Sequence, residues 1–83
     1  MSPDLVEVEV VDRRAGLIRV RGPLTSLGAD LLRGTADGLR GSGPPRVVLD
    51  MRGVRGADLG ALDILREMRD EFAAEGGQLV VRT

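Results

Sequence analysis

The sequence predicts an α/β domain: a four-stranded mixed sheet in the element order β-β-α-β-α-β, with both helices on one face. Three observations carry this. Residues 5–11 alternate, with Val6, Val8 and Val10 on one side and Glu7 and Glu9 on the other, the period-two pattern of a half-buried strand. The runs Val47-Val48-Leu49 and Leu79-Val80-Val81 lack that alternation and suit strands covered on both faces, which points to a parallel or mixed sheet. Between them, Asp58 stands where an N-cap belongs, and Leu59, Leu62, Leu65, Met68 and Phe72 follow at spacings of three, three, three and four.

The remaining elements fall into place in order. Residues 17–21 put Ile18 and Val20 on one side and Arg19 and Arg21 on the other, and Gly16 suits the short hairpin loop before them. Pairing Val11 with Leu17 sets Glu9 opposite Arg19 and Glu7 opposite Arg21, two opposite-charge pairs worth roughly 0.2–1 kcal/mol each on a solvated face. Gly22-Pro23 ends this hairpin, and Thr25 or Ser26 caps a helix running to about Leu39. Its apolar positions are Leu27, Leu31, Leu32, Thr35, Ala36 and Leu39. Gly34 and Gly38 each cost about 1 kcal/mol relative to alanine, and their spacing predicts close approach to the sheet. The run G-S-G-P-P at 41–45 reads as a breaker loop. After the central strand, two glycines mark a short polar loop; Gly76-Gly77 stops the second helix, and residues 78–82 form the last strand. A strand-helix-strand crossover of this kind is right-handed and makes its two strands parallel. Helices on one face only would leave Val or Leu of the apolar runs exposed on the other, to be covered by a self-partner, another protein or further sequence.

Residues 1–83 make one domain, and folding at this size buries only about 60–65% of the unfolded chain's surface. With 42% hydrophobic and 30% charged residues and a net charge of −1, the chain reads as soluble and globular, without the basic field that nucleic acid requires. No apolar run approaches the roughly 20 residues of a membrane span, and M-S-P-D lacks the regions of a signal peptide, so a cytoplasmic location without membrane insertion is expected.

The chain contains neither Cys nor His, and all 12 of its basic residues are Arg. Thiolate and imidazole catalysis, the usual zinc sites and Schiff-base chemistry are thereby excluded, and Phe72 alone offers an aromatic surface. Asp63, Glu67, Asp70, Glu71 and Glu75 lie on the polar side of the second helix, and only Asp50 and Asp58 sit near the rim, too few for a magnesium site. The expectation is no catalytic residue, no metal ligand, no cofactor and no enzymatic activity. Arg52, Arg55 and the second helix's N-terminus offer one alternative, a small anion or nucleotide held by charge and dipole, although neither a Walker lysine nor G-x-G-x-x-G is present.

The segment V-V-L-D-M-R-G-V-R-G-A-D-L-G-A-L-D-I-L resembles the signature of STAS domains, the family of anti-sigma-factor antagonists and sulfate-transporter cytoplasmic tails, whose usual form is approximately V-V-L-D-L-S-G-V-x-F-I-D-S-S-G-L-G-V-L. Asp50, Gly53, Val54, Asp58, Leu62 and Leu65 match, with the spacing of the two aspartates kept; Gly22-x-Leu24 and G-G-Q-L-V-V resemble the family's flanks. The resemblance implies a regulatory protein-interaction module. Its partner would be an anti-sigma-factor or kinase-like protein or another STAS protein, with homodimerisation or a place in a transporter assembly as the scaffold alternative.

The partner-binding residues implied are Arg52, Arg55, Ala57, Asp58, Leu59, Gly60 and Asp63, with Leu59 as an apolar anchor. Two departures stand out. Leu59 and Gly60 occupy the family's serine positions and Ala61 its glycine, so Gly60 stands where phosphorylated members carry the acceptor and no phospho-acceptor is expected. The family also continues past this last strand with further helix and sheet, whereas this sequence stops at Thr83.

Overall fold

The alternating and continuous apolar runs become the four strands of one sheet. The computed structural model describes residues 5–42 and 46–83, with side chains for all of these but 40–42. The elements are β1 (Glu7–Asp12), β2 (Leu17–Leu24), α1 (Ser26–Ser42), β3 (Arg46–Ala57), α2 (Leu59–Ala74) and β4 (Gln78–Arg82). Residues 41 and 42, expected in the breaker loop, end α1 instead, and the rest of that loop lies outside the described residues. The strands lie in the order β1-β2-β3-β4, with β1 antiparallel to β2 and β2, β3 and β4 mutually parallel.

The predicted hairpin register holds: Glu9 faces Arg19 and Glu7 faces Arg21. One detail differs. A bulge between Val10 and Asp12 lets Asp12, rather than Val11, pair with Leu17.

Two boundaries move for a shared reason. β2 passes through Gly22-Pro23 to Leu24, and β3 passes through the expected polar loop to Ala57, because these two segments pair with each other as Gly22 with Val54 and Leu24 with Ala57. β1 begins opposite Arg21, so Pro23 has a strand on one side only and its missing N–H costs no ladder bond on the other.

Both helices pack on one face. Ile18, Val20, Val47 and Leu49 rise from the sheet to meet Leu32, Ala36 and Leu39 of α1 and Met68 and Phe72 of α2, all buried. Arg33 of α1 bonds both Glu67 and Glu71 of α2, clasping the helices along their length. α2 stops at Gly76 (φ 77°), whose N–H reaches Ala73 O at 3.1 Å while Gly77 N–H reaches Phe72 O at 2.8 Å, a paired closure that satisfies two terminal carbonyls.

Two expectations are corrected. Gly34 and Gly38 do not approach the sheet: a Cβ at either would have no atom within 4 Å. Turning Ala29, Leu32, Ala36 and Leu39 inward rotates both glycines outward together with Leu27 (81% exposed) and Leu31 (57%); the close-contact glycine is Gly28, under Val6. Nor does the helix-free face expose its apolar row. Val48 on the central strand β3 is 6% exposed, and its register neighbours Leu17 and Val80 are half-buried. Exposed leucine is found instead where the two helices begin.

Candidate functional site

β2 and β3 run parallel and each is followed at once by a helix, so both helices start at the same rim of the sheet. Asp58 organises it. With extended backbone (φ −80°, ψ 168°), it caps α2 by accepting Ala61 N–H at 2.8 Å. Its carboxylate also accepts the Ser26 N–H and the Ser26 hydroxyl, each at 3.3 Å, and its own N–H donates to Leu24 O at 3.1 Å. One aspartate thus ties the end of β2 to the starts of α1 and α2. Thr25 caps α1 separately, its Oγ1 accepting Gly28 N–H at 3.2 Å.

The residues singled out in the sequence distribute around this knot. Ala57 is the last residue of β3, and Leu59, the first of α2, is 81% exposed. Gly60 lies directly against Ser26, leaving no room for a Cβ unless the Ser26 hydroxyl moves. Asp63 is exposed on the next turn, 3.7 Å from Arg66, and Arg55 is exposed on β3. Arg52 is committed elsewhere: its Nε and Nη2 each donate to the Asp50 carboxylate at 2.9 Å, and its backbone N–H adds a bond at 3.2 Å. With Arg52 so engaged and the α2 N-terminus already holding the Asp58 carboxylate, the anion alternative loses two of its three donors.

Asp50, nine-tenths buried on the helix-free face, pairs in register with Arg19 and Arg82. The hydrogen bonds from Arg52, aided by its charge and that of Arg19, hold the Asp50 carboxyl well below the ordinary carboxylate range. A depressed carboxyl contributes stability above its unfolded value, about 3.9, and loses it as pH falls toward the folded value. Asp50→Asn should therefore lower stability at pH 7 and flatten its decline between about pH 4 and pH 2, read from urea midpoints; an acid slope equal to the parent's would contradict this.

Two members of the rim escape a reading along the chain. Ser26 and Leu27 lie 32 residues from Asp58 and Leu59, and only the parallel placement of the two strands brings them together. Their contact sets a sign. Gly60→Ala gains helix propensity of about 1 kcal/mol but displaces the Ser26 hydroxyl from Asp58, costing a hydrogen bond of similar size. Thermal melts should show Gly60→Ala near neutral in the parent and stabilising by about 0.5–1 kcal/mol once Ser26→Ala clears the space; equal effects in both backgrounds would remove the coupling.

A mixed sheet backed by two helices, with both helix starts knotted by one aspartate, defines a small α/β domain whose distinctive surface is the rim after β2 and β3. The sequence profile described as "Mlab, STAS domain" matches residues 9–83, nearly the whole chain, and the chain belongs to this STAS family. A search of curated proteins finds no match.

Solved structures share the fold. An anti-sigma-factor antagonist STAS domain from Rhodobacter sphaeroides aligns with a TM-score of 0.69 and 24% identity over 98% of this chain and 89% of its own. The anti-sigma-factor antagonist SpoIIAA in its unphosphorylated form aligns at 0.65 and 15% identity over 93% of this chain and 71% of its own. A structure of Mglu aligns at 0.69 and 22% identity over 93% of this chain, which spans only 19% of the Mglu chain. No helix among the described residues is long and apolar enough to cross a membrane.

Proposed function

We propose that this domain is a non-enzymatic protein-interaction module of a regulatory kind, acting in the cytoplasm in the manner of an anti-sigma-factor antagonist. The observation that carries this is Leu59, a large apolar side chain 81% exposed at the centre of a hydrogen-bonded polar rim, the arrangement of an interface anchor. Around it, Ala57, Asp58, Gly60, Asp63 and Arg55 supply the contact surface, without Arg52, which Asp50 holds on the helix-free face. Leu27 adds a second anchor through the Ser26–Asp58 tie. Two fold neighbours described as anti-sigma-factor antagonists support the class of partner. Because residue 60 is glycine, this surface keeps one charge state at that position, and regulation comes from the supply of the partner. Recovery of a stoichiometric partner on the parent chain but not on Leu59→Asp, from cells of the native host, tests the reading.

A second reading, an accessory subunit within a homodimer or larger STAS assembly, is favoured by one observation. Leu5, Leu27 and Leu31 are exposed around an apolar groove of about 520 Å³ beside α1, on a face with no partner among the described residues. Light scattering across concentrations separates self-association from a heterologous contact.

A further inference from the structure

Gly34 is a helix-interior glycine for which the fold of this chain supplies no reason. It is exposed, and a Cβ added there would meet no atom within 4 Å, so alanine would favour α1 at no steric cost among the described residues. The missing Cβ instead leaves the helix backbone open to close approach from outside. Gly34 follows Leu27 by seven residues and Asp30 by four, so the three share one solvent-facing stripe of α1.

α2 carries a matching stripe. Leu59, Asp63, Arg66 and Asp70 recur at spacings of four, three and four, and all are exposed. The two stripes run side by side, because Ser26 ties to Asp58 where the helices begin and Arg33 reaches Glu67 and Glu71 further along. The shared surface has Leu27 and Leu59, each 81% exposed, at one end and an acidic seam below them. Asp30, Asp63, Glu67, Asp70 and Glu71 are offset there by Arg33 and Arg66, and both arginines are already in ion pairs with members of that set.

We infer that the seam between α1 and α2 receives a basic amphipathic helix of the partner protein. This rests on the Leu59 rim being a protein contact, and it names the element that docks there. Packed helices stand about 8–10 Å apart, closest where a side chain between them is missing, as at Gly34. Apolar residues of the added helix sit between Leu27 and Leu59. Its Lys or Arg residues one and two turns on meet Asp30 and Asp63, then Glu67 and Asp70. Charge selects this occupant. A second copy would set the same carboxylates against one another, and a nucleic acid or an anionic membrane would bring phosphate to an acidic surface.

The test titrates the isotope-labelled full chain with the acetylated, amidated peptide L-A-A-L-A-R-K-A-A-R-K-A-A-R and with a counterpart carrying Glu at its five basic positions. The basic peptide should shift the Leu27, Gly34 and Leu59 amide resonances and bind more weakly as salt rises, and the acidic one should shift none. Gly34→Leu should hold or raise the melting temperature while weakening the basic peptide about tenfold, since a bulky side chain then fills the point of closest approach. Asp30→Arg with Asp70→Arg should reverse the preference between the peptides. Equal binding of both peptides, an unperturbed Gly34, or full affinity on Gly34→Leu overturns the inference. So do Gly34 shifts that grow with protein concentration alone, which assign the seam to a second copy. The rim is read separately: a host protein lost on Leu59→Asp but kept on Gly34→Leu leaves the rim contact standing and overturns the seam.

Discussion

Phe72→Ala is expected to bring the domain to the edge of unfolding. Phe72 is the chain's only aromatic residue, sits in the last full turn of α2, and is 1% exposed within the cluster that joins α2 to the sheet. Truncating a buried phenylalanine costs about 3–5 kcal/mol, as lost transfer energy plus an unfilled cavity. At 0.05–0.15 kcal/mol per residue, the whole domain has roughly 4–12 kcal/mol to lose. Urea unfolding should therefore show a midpoint cut by about half or a protein already partly unfolded, whereas Phe72→Leu should lose less than about 1.5 kcal/mol by keeping most of the volume. A loss below about 1 kcal/mol for Phe72→Ala would mean that the cluster closes over the gap and that α2 is held mainly by its ends.

Leu59→Asp is expected to do the opposite, removing function while sparing the fold. The side chain is 81% exposed, so its replacement removes little buried surface. A carboxylate at the first position of α2 meets the positive end of the helix dipole, worth about 0.3–1 kcal/mol in favour of the variant. At the centre of an interface the same change buries a charge without a partner and removes an anchor worth 2 kcal/mol or more, a drop in affinity of about thirtyfold or greater. The melting temperature should hold or rise slightly while partner affinity collapses. A parallel loss of both would show that Leu59 supports the fold rather than a contact.

Much of the fold can be read directly from periodicity. Val6, Val8 and Val10 alternate and Val47 to Leu49 do not, and the half-buried β1 and the central β3 follow from that difference alone. The cap at Asp58 and the stop at Gly76 mark α2 to the residue. What escaped was decided by partners distant in sequence. Residues 52–57 look like a loop because their glycines and arginines carry no strand pattern, yet β2 lies alongside and holds them extended. Gly34 and Gly38 have the spacing of a packing stripe, and only the rotation that buries Leu32 and Leu39 sends them outward.

The candidate site divides the same way. Asp58, Leu59 and Gly60 lie on one short segment and were legible there. Ser26 and Leu27 reach the same rim through the parallel pairing of β2 with β3, a relation that no local pattern encodes. The reassignment of Arg52 is similar. Its neighbour Asp50 claims it because both side chains lie on the same sheet face, away from the α2 rim that their sequence position suggested.

The role proposed for this domain is to present the exposed Leu59 to a protein partner. The most direct measurement is paired affinity recovery from native host cells with the parent chain and Leu59→Asp, matched for melting temperature, followed by titration of whatever protein the parent recovers. The predicted result is a stoichiometric partner that binds the parent and is at least about thirtyfold weaker on the variant. A partner that binds both chains equally would show that Leu59 is not the contact.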